Sequence, residues 1–519
     1  MDAGKRRCRW ADRWTRSARR SKAWLAPETH NATAVVSRSR CQPPSRSFMW
    51  APKDVCAGAS RGLRLACYQV FIVTAISSRS RAHTPARAIA DGSPPPSHGT
   101  EERLLRAVTL LAGRDGYPRL SVERILELAA VSRATFYQYF SNVDDCFWSA
   151  YRRHAERLVA DVAAATAAGK SPEFEALDAL VALAVSQPHT ARMLMREGLT
   201  AGPAGPAERD ALIARVADAI RASQPAPSTV DLPPQILVGA VFGFLAMRVS
   251  DGGALAGLRE YVLEWALAFL RCASLPSWSA RLAPAFPPQV GRSPARASAP
   301  PAGATRRERV LRATAAAVCA KGYRDTTVTD IVALAGVSRR SFYNEFQSKA
   351  DAFVAAYEHG FQLTLMACTP AFFISASWPE RVWASAQAFT GFLSREPIFA
   401  HLGFLECYAL GPDFTQRAYE IQLAFTLFLE EGYRQRPQAR PLSRACADLT
   451  AAAIFELAFQ GTRRGPSMYL RSLQPLAVYI ALAPFIGVDD AGEFVTDKLS
   501  TRTGSAAHAI CSPGRSRAR

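Results

Sequence analysis

The chain lacks any Cys-x-x-Cys pair, and its eleven cysteines follow no regular spacing. That excludes the common zinc and dithiol signatures and points to reduced thiols in a cytosolic protein. Histidine is scarce, with eight in 519 residues, and His189, His359 and His401 have no Asp or Cys partner at a useful sequence spacing. Phosphate-binding loops and nucleophile–base constellations are missing as well. The expectation is a protein that is not an enzyme and that holds no cofactor and no metal. Long apolar runs are also wanting. Leu65 to Ile76 is too short to span a bilayer and too far from the N-terminus for a signal peptide, so no membrane partner is expected. Acidic residues are outnumbered, 44 against 63 Lys and Arg, leaving a net charge of +19. Such a chain favours polyanions.

What the sequence does contain is one stretch present twice, Ser121 to Phe140 (SVERILELAAVSRATFYQYF) and Thr327 to Phe346 (TVTDIVALAGVSRRSFYNEF). Thr327 with Asp330 is a capping box that starts a short helix, for which Ile331 and Leu334 are the expected inward residues. Gly336 ends that helix in a left-handed turn. Ser338 caps the next one at once, and Phe342 and Phe346 share its buried face. Two short helices around a tight turn make a helix-turn-helix, whose second helix suits a DNA major groove. Aligned from Arg103 with Arg309 to Tyr151 with Tyr357, roughly 20 of about 49 positions are identical, so a whole domain is duplicated.

The order of residues around each copy resembles the N-terminal pattern of the TetR/AcrR regulators: Gly-aromatic, then T-x-x-x-I-A-x-x-A-G-V-S-x-x-T-x-Y-x-x-F-x-x-K. The second copy matches with Gly322, Tyr323, Thr327, Ile331, Ala335, Gly336, Val337, Ser338, Ser341, Tyr343, Phe346 and Lys349. The first matches with Gly116, Tyr117, Ser121, Ile125, Ala129, Val131, Ser132, Thr135, Tyr137 and Phe140. The resemblance implies an all-α fold of two tandem units, each a three-helix DNA-binding domain followed by a helical effector and dimerisation bundle. It also implies a cytoplasmic, nucleoid-associated repressor of a double-stranded DNA operator, modulated by a small apolar ligand.

Composition sets the boundaries. Residues 1–98, basic and without a sustained period, are read as a disordered extension, more simply a solvated tail or upstream sequence than a DNA-contacting arm. Residues 99–151 form the first DNA-binding domain and 152–274 its effector domain; 275–304, rich in Pro, Ala, Ser and Arg, form a linker. Residues 305–357 and 358–489 repeat the two domains, and 490–519 are a polar, frayed tail. About 30 linker residues span on the order of 30 Å as coil and up to roughly 90 Å as polyproline-like chain, enough for both units to reach one site. Each half ends in two apolar helices. By the resemblance such pairs make dimer interfaces, either between two chains or within this one as a pseudo-dimer.

With Phe136 and Phe140 inward, Ala134 and Gln138 point outward, flanked by Arg133, Thr135, Tyr137 and Tyr139; Arg340 and Asn344 are the outward pair of the second copy. Arg suits guanine and Asn or Gln suits adenine, which makes Arg340, Asn344 and Gln138 candidate base readers. Tyr137, Tyr343, Thr135 and Ser341 suit phosphates. Ser121, Ser132, Arg133, Tyr139, Thr327, Ser338, Arg339 and Lys349 complete the expected contact set. Each copy departs from the family pattern. Ala130 stands at the turn Gly, at a cost of about 1 kcal/mol if left-handed; Val143 replaces the phosphate-binding Lys, and Glu345 brings a negative charge. An alternative is therefore that one copy, the first, is degenerate and serves as a sensor or dimerisation module. The aromatics of 358–489, among them Phe361, Phe372, Trp378, Phe389, Phe404, Phe425 and Phe428, are expected to be bundle core, the alternative being the apolar-ligand pocket that the resemblance implies.

Overall fold

Two runs of nine principal helices follow one another in the same order in a computed structural model that describes residues 99–510, apart from 170, 203, 224–229, 251–256, 271–275, 284–302, 376, 436–441 and 466. The first run is α1 (Thr100–Asp115), α2 (Val122–Ala129), α3 (Arg133–Tyr139), α4 (Val143–Ala168), α5 (Pro172–Ser186), α6 (Pro188–Arg192), α7 (Gly205–Ser223), α8 (Pro234–Ser250) and α9 (Leu258–Leu267). After α10 (Trp278–Leu282) the second run repeats it: α11 (Arg306–Lys321), α12 (Val328–Ala335), α13 (Arg339–Glu345), α14 (Lys349–Ile374), α15 (Trp378–Arg395), α16 (Pro397–His401), α17 (Pro412–Ala424), α18 (Arg444–Arg464) and α19 (Gln474–Ile486). A last helix, α20 (Val488–Ile510), follows. The all-α expectation holds: the described residues form helices and one isolated bridge, Val230 with Leu270.

Local chemistry starts each short helix where the sequence places it. Ser132 and Ser338 accept the amides of Thr135 and Ser341, both at 3.1 Å, and Thr305 and Thr327 close capping boxes with Glu308 and Asp330. Phe136 and Phe342 are wholly buried.

Three expectations change. Leu334 is 62% exposed, because Ile331 and Ala335, four apart, take the inward face of α12. The segment 275–304 is not all linker. Ser277 caps α10, and buried Asp231 receives the amides of Trp278 and Ser279 at 2.9 and 3.2 Å, fixing that helix against α19 and α20. The tail likewise begins as helix, since Ala491 and Val495, four apart, are buried against α19. The extension 1–98 lies outside the described residues.

The most extensive packing between described helices of different halves is α8 against α18. Gly239 of α8 makes it possible, since a Cβ there would sit 2.3 Å from the Glu456 side chain. Glu456 is buried and takes Arg209 at 2.8 Å and Gln460 at 2.8 Å. Further bonds cross the same seam: Arg463 and Arg464 to Asp210 at 2.9 and 2.6 Å, Trp265 to Thr450 at 3.1 Å, Tyr479 to Asp231 at 2.8 Å. One chain thus pairs its two halves through helices that end each repeat. Tyr469–Ile486 is long and apolar enough to cross a membrane, but 72% of it is buried in this bundle.

Candidate nucleic-acid interface

Each helix-turn-helix is anchored by buried rings and shows its polar face outward. In α3, Phe136 packs on Phe140 at 5.9 Å while Arg133, Gln138, Tyr137 and Tyr139 are exposed. In α13, Phe342 packs on Phe346 at 5.6 Å while Arg339, Arg340, Tyr343 and Asn344 are exposed. Tyr137 and Tyr343 occupy equivalent places with half their surface free, 51% and 50%. Thr135 and Ser341 are half-buried, their hydroxyls bonded to the capping Ser132 and Ser338 at 2.8 and 2.9 Å. Ser121 and Thr327 are caps of the preceding helices. In each copy the expected residues of the recognition helix are exposed or half-buried, with one further expected residue at the start of the helix before it.

The two faces are not electrically equal. In the first, Glu123 pairs with Arg133, and a phosphate would have to displace it. In the second, Thr329 stands in that place and leaves Arg339 without this competitor. The unwelcome charge of Glu345 is answered by Arg307 at 3.4 Å, whose guanidinium also covers the Phe346 ring. Lys349 differs from the rest of its set. Its ammonium donates to the Tyr323 and Arg324 carbonyls at 2.8 and 3.2 Å and lies over the Tyr323 ring, and burial lowers its pKa. It fastens the turn after α11 before it can serve a phosphate.

Ala130 is left-handed, with φ at 52°. It is the single non-glycine at positive φ among the described residues, and its counterpart Gly336 adopts the same turn. Ala130→Gly is therefore expected to stabilise the chain by about 0.5–1 kcal/mol, the relief of Cβ strain exceeding the added chain entropy. Urea denaturation checks it; a loss of stability would show the strain to be absent.

Sequence spacing missed two buried carboxylates that hold these domains to the bundles. The α6 helix runs on through a π turn, Met193–Glu197, and α16 through its equivalent, Leu402–Glu406. Glu197 accepts the backbone amide of Tyr117 at 2.9 Å, and Glu406 that of Tyr323 at 3.0 Å. Each tyrosine follows the Gly that ends the first helix of its DNA-binding domain, so the bond ties that domain to the effector bundle. Arg192 is 3.3 Å from Glu197; in the second half His401 is 3.4 Å from Glu406. Burial pulls the His401 pKa down, but Cys319 and Glu406 beside the ring outweigh it and push the pKa up to about 9. The signal available in the sequence was the pair Arg192/Glu197 and His401/Glu406, five apart in both repeats.

The second bundle is not filled by its aromatics. A cavity of about 150 Å³ lies among Tyr357, Phe361, Phe389, Phe399, Phe404, Phe425, Phe428 and Phe455. Its polar lining is limited to neutral groups such as Thr364, Ser385 and Gln422. A cavity of this size lined by apolar groups stays dry and accepts a small apolar molecule. Other rings do pack as core: Trp378 meets Phe485 at 5.6 Å and Phe372 meets Phe428 at 5.1 Å.

Comparison with known proteins agrees with this geometry. The family of bacterial regulatory proteins named tetR matches residues 104–149 and 310–356, the DNA-binding domains of the two halves. No curated protein matches the chain. The chain belongs to the TetR family of DNA-binding transcriptional regulators and is built of two TetR-like units in tandem.

Proposed function

We propose that the chain is a repressor acting as a single-chain pseudo-dimer on an operator of two unlike half-sites, released by a small apolar ligand. The observation that carries the reading is the α8–α18 seam. It uses helices from both halves of one chain and is sealed by the buried Arg209–Glu456 pair, 6% and 3% exposed. A face closed in this way has no need of a second chain. The recognition helices differ at their outward residues, Ala134 and Gln138 against Arg340 and Asn344, so the bases they favour differ. The uncharged cavity lining favours a neutral ligand, since a buried charge without a partner is costly.

Sedimentation of the chain on its selected duplex tests the reading. One chain per operator is expected, and two chains per operator would contradict it. The Arg133–Glu123 pair and the Val143 substitution favour a second reading, in which the first recognition helix contributes little. Under that reading Arg133→Ala with Gln138→Ala leaves operator affinity unchanged; under the pseudo-dimer reading it lowers it.

A further inference from the structure

The π turns have two faces, and in the second half both are in use. On one side Leu402, Gly403 and Phe404 line the cavity. On the other, Glu406 holds the Tyr323 amide. Five residues therefore join the cavity wall to the fastening of the DNA-binding domain. The first half keeps the fastening but carries bulkier side chains at the turn. Met193, Leu194 and Met195 stand at the three matching positions and are 0–1% exposed in the core. Gly403 sits opposite Leu194 in this match, and a Cβ on it would meet nothing within 4 Å. The loss of a leucine side chain there helps open the cavity.

The charges around the two carboxylates differ in the same sense. Glu197 is wholly buried, with Arg192 at 3.3 Å and Arg196 at 3.7 Å. Arginine stays charged at all relevant pH, so that arrangement is permanent. Glu406 has His401 in the equivalent position. The first carboxylate thus has two arginines beside it, where the second has a histidine at the equivalent position.

We propose that Glu406 is the positioning residue through which occupancy of the cavity reaches the second recognition helix, while Glu197 holds the first helix fixed, so that ligand loosens one half-site only. An occupant displaces Leu402 to Phe404, the π turn shifts, and the carboxylate no longer meets the Tyr323 amide. A shift of this kind transmits only the difference in ligand affinity between the two arrangements. The proposal rests on the ligand-controlled reading above.

Hydroxyl-radical footprinting of the full chain on its selected operator, with and without saturating toluene, tests it. Toluene matches the size of ligand that a cavity of about 150 Å³ takes. The second half-site is identified as the one whose protection Arg340→Ala removes. In the wild type, toluene is expected to weaken protection there by at least about fivefold and leave the other half-site unchanged. Glu406→Ala should bind toluene within about twofold of the wild type, because the carboxylate lies outside the lining, yet lose the toluene response. Glu406→Gln, which keeps an acceptor for the amide, should retain it. Gly403→Leu should abolish toluene binding. Equal loosening of both half-sites, no loosening, or an unchanged response in Glu406→Ala would overturn the proposal alone. Failure of toluene to bind the wild type, measured calorimetrically, would overturn the ligand reading and the proposal with it.

Discussion

Replacing Glu456 by Ala is expected to destabilise the folded chain by about 3–5 kcal/mol, the usual cost of leaving one member of a buried ion pair behind. The Arg209 guanidinium is the group left behind. Its side chain is 6% exposed, and Glu456 is its ion-pair partner at 2.8 Å, with the Phe459 ring 5.3 Å away. Its Nε and Nη1 have no hydrogen-bond partner among the described residues, so the substitution removes the bond that its Nη2 makes. The pair joins α7 of the first half to α18 of the second, and losing it should also divide urea unfolding into two transitions, one per half. Arg209→Met with Glu456→Leu should be far milder, because both charges leave the interior together. A destabilisation by Glu456→Ala within about 0.5 kcal/mol, as for a surface site, would show that the seam does not hold the halves together.

Arg340→Ala with Asn344→Ala is expected to weaken operator binding by about 2–4 kcal/mol, roughly 30- to 1,000-fold at fixed salt. The loss should fall on one half-site and relax its base preference. The reason is geometric. Both side chains are exposed on α13, one helical turn apart, and neither supports the fold, which rests on Phe342 and Phe346 behind them. Thermal stability should be unchanged. A uniform loss across sequences, with a smaller salt dependence, would mean that these residues touch phosphates and not bases.

The parts of this molecule that were legible in the sequence are those fixed within a few residues. Ser121, Ser132, Thr327 and Ser338 announce their helices because a cap acts on an amide three residues on. Ala130 could be suspected of strain because Gly336 stands at the same turn in the other copy. Leu334 was misplaced because six of the eight residues of α12 are apolar, and a pattern so nearly continuous does not fix the inward direction to within about 60°. The α10 helix was hidden by Pro- and Ser-rich surroundings, its stability coming from Asp231, far away in sequence. The fastening by Glu197 and Glu406 was hidden for a stronger reason. Its donors are backbone amides 80 and 83 residues away, and a backbone donor leaves no side-chain signature. The cavity depends on an absence, the missing side chain of Gly403, which only the fold reveals.

Selection of bound DNA from a random duplex pool by the full chain tests most directly the claim that one chain reads one operator with two different helices. A single enriched site with two unlike half-sites is expected, one of which loses its base preference when Arg340 and Asn344 are replaced by Ala. Enrichment of a strict palindrome would contradict it, because like domains of two chains would then be reading the site.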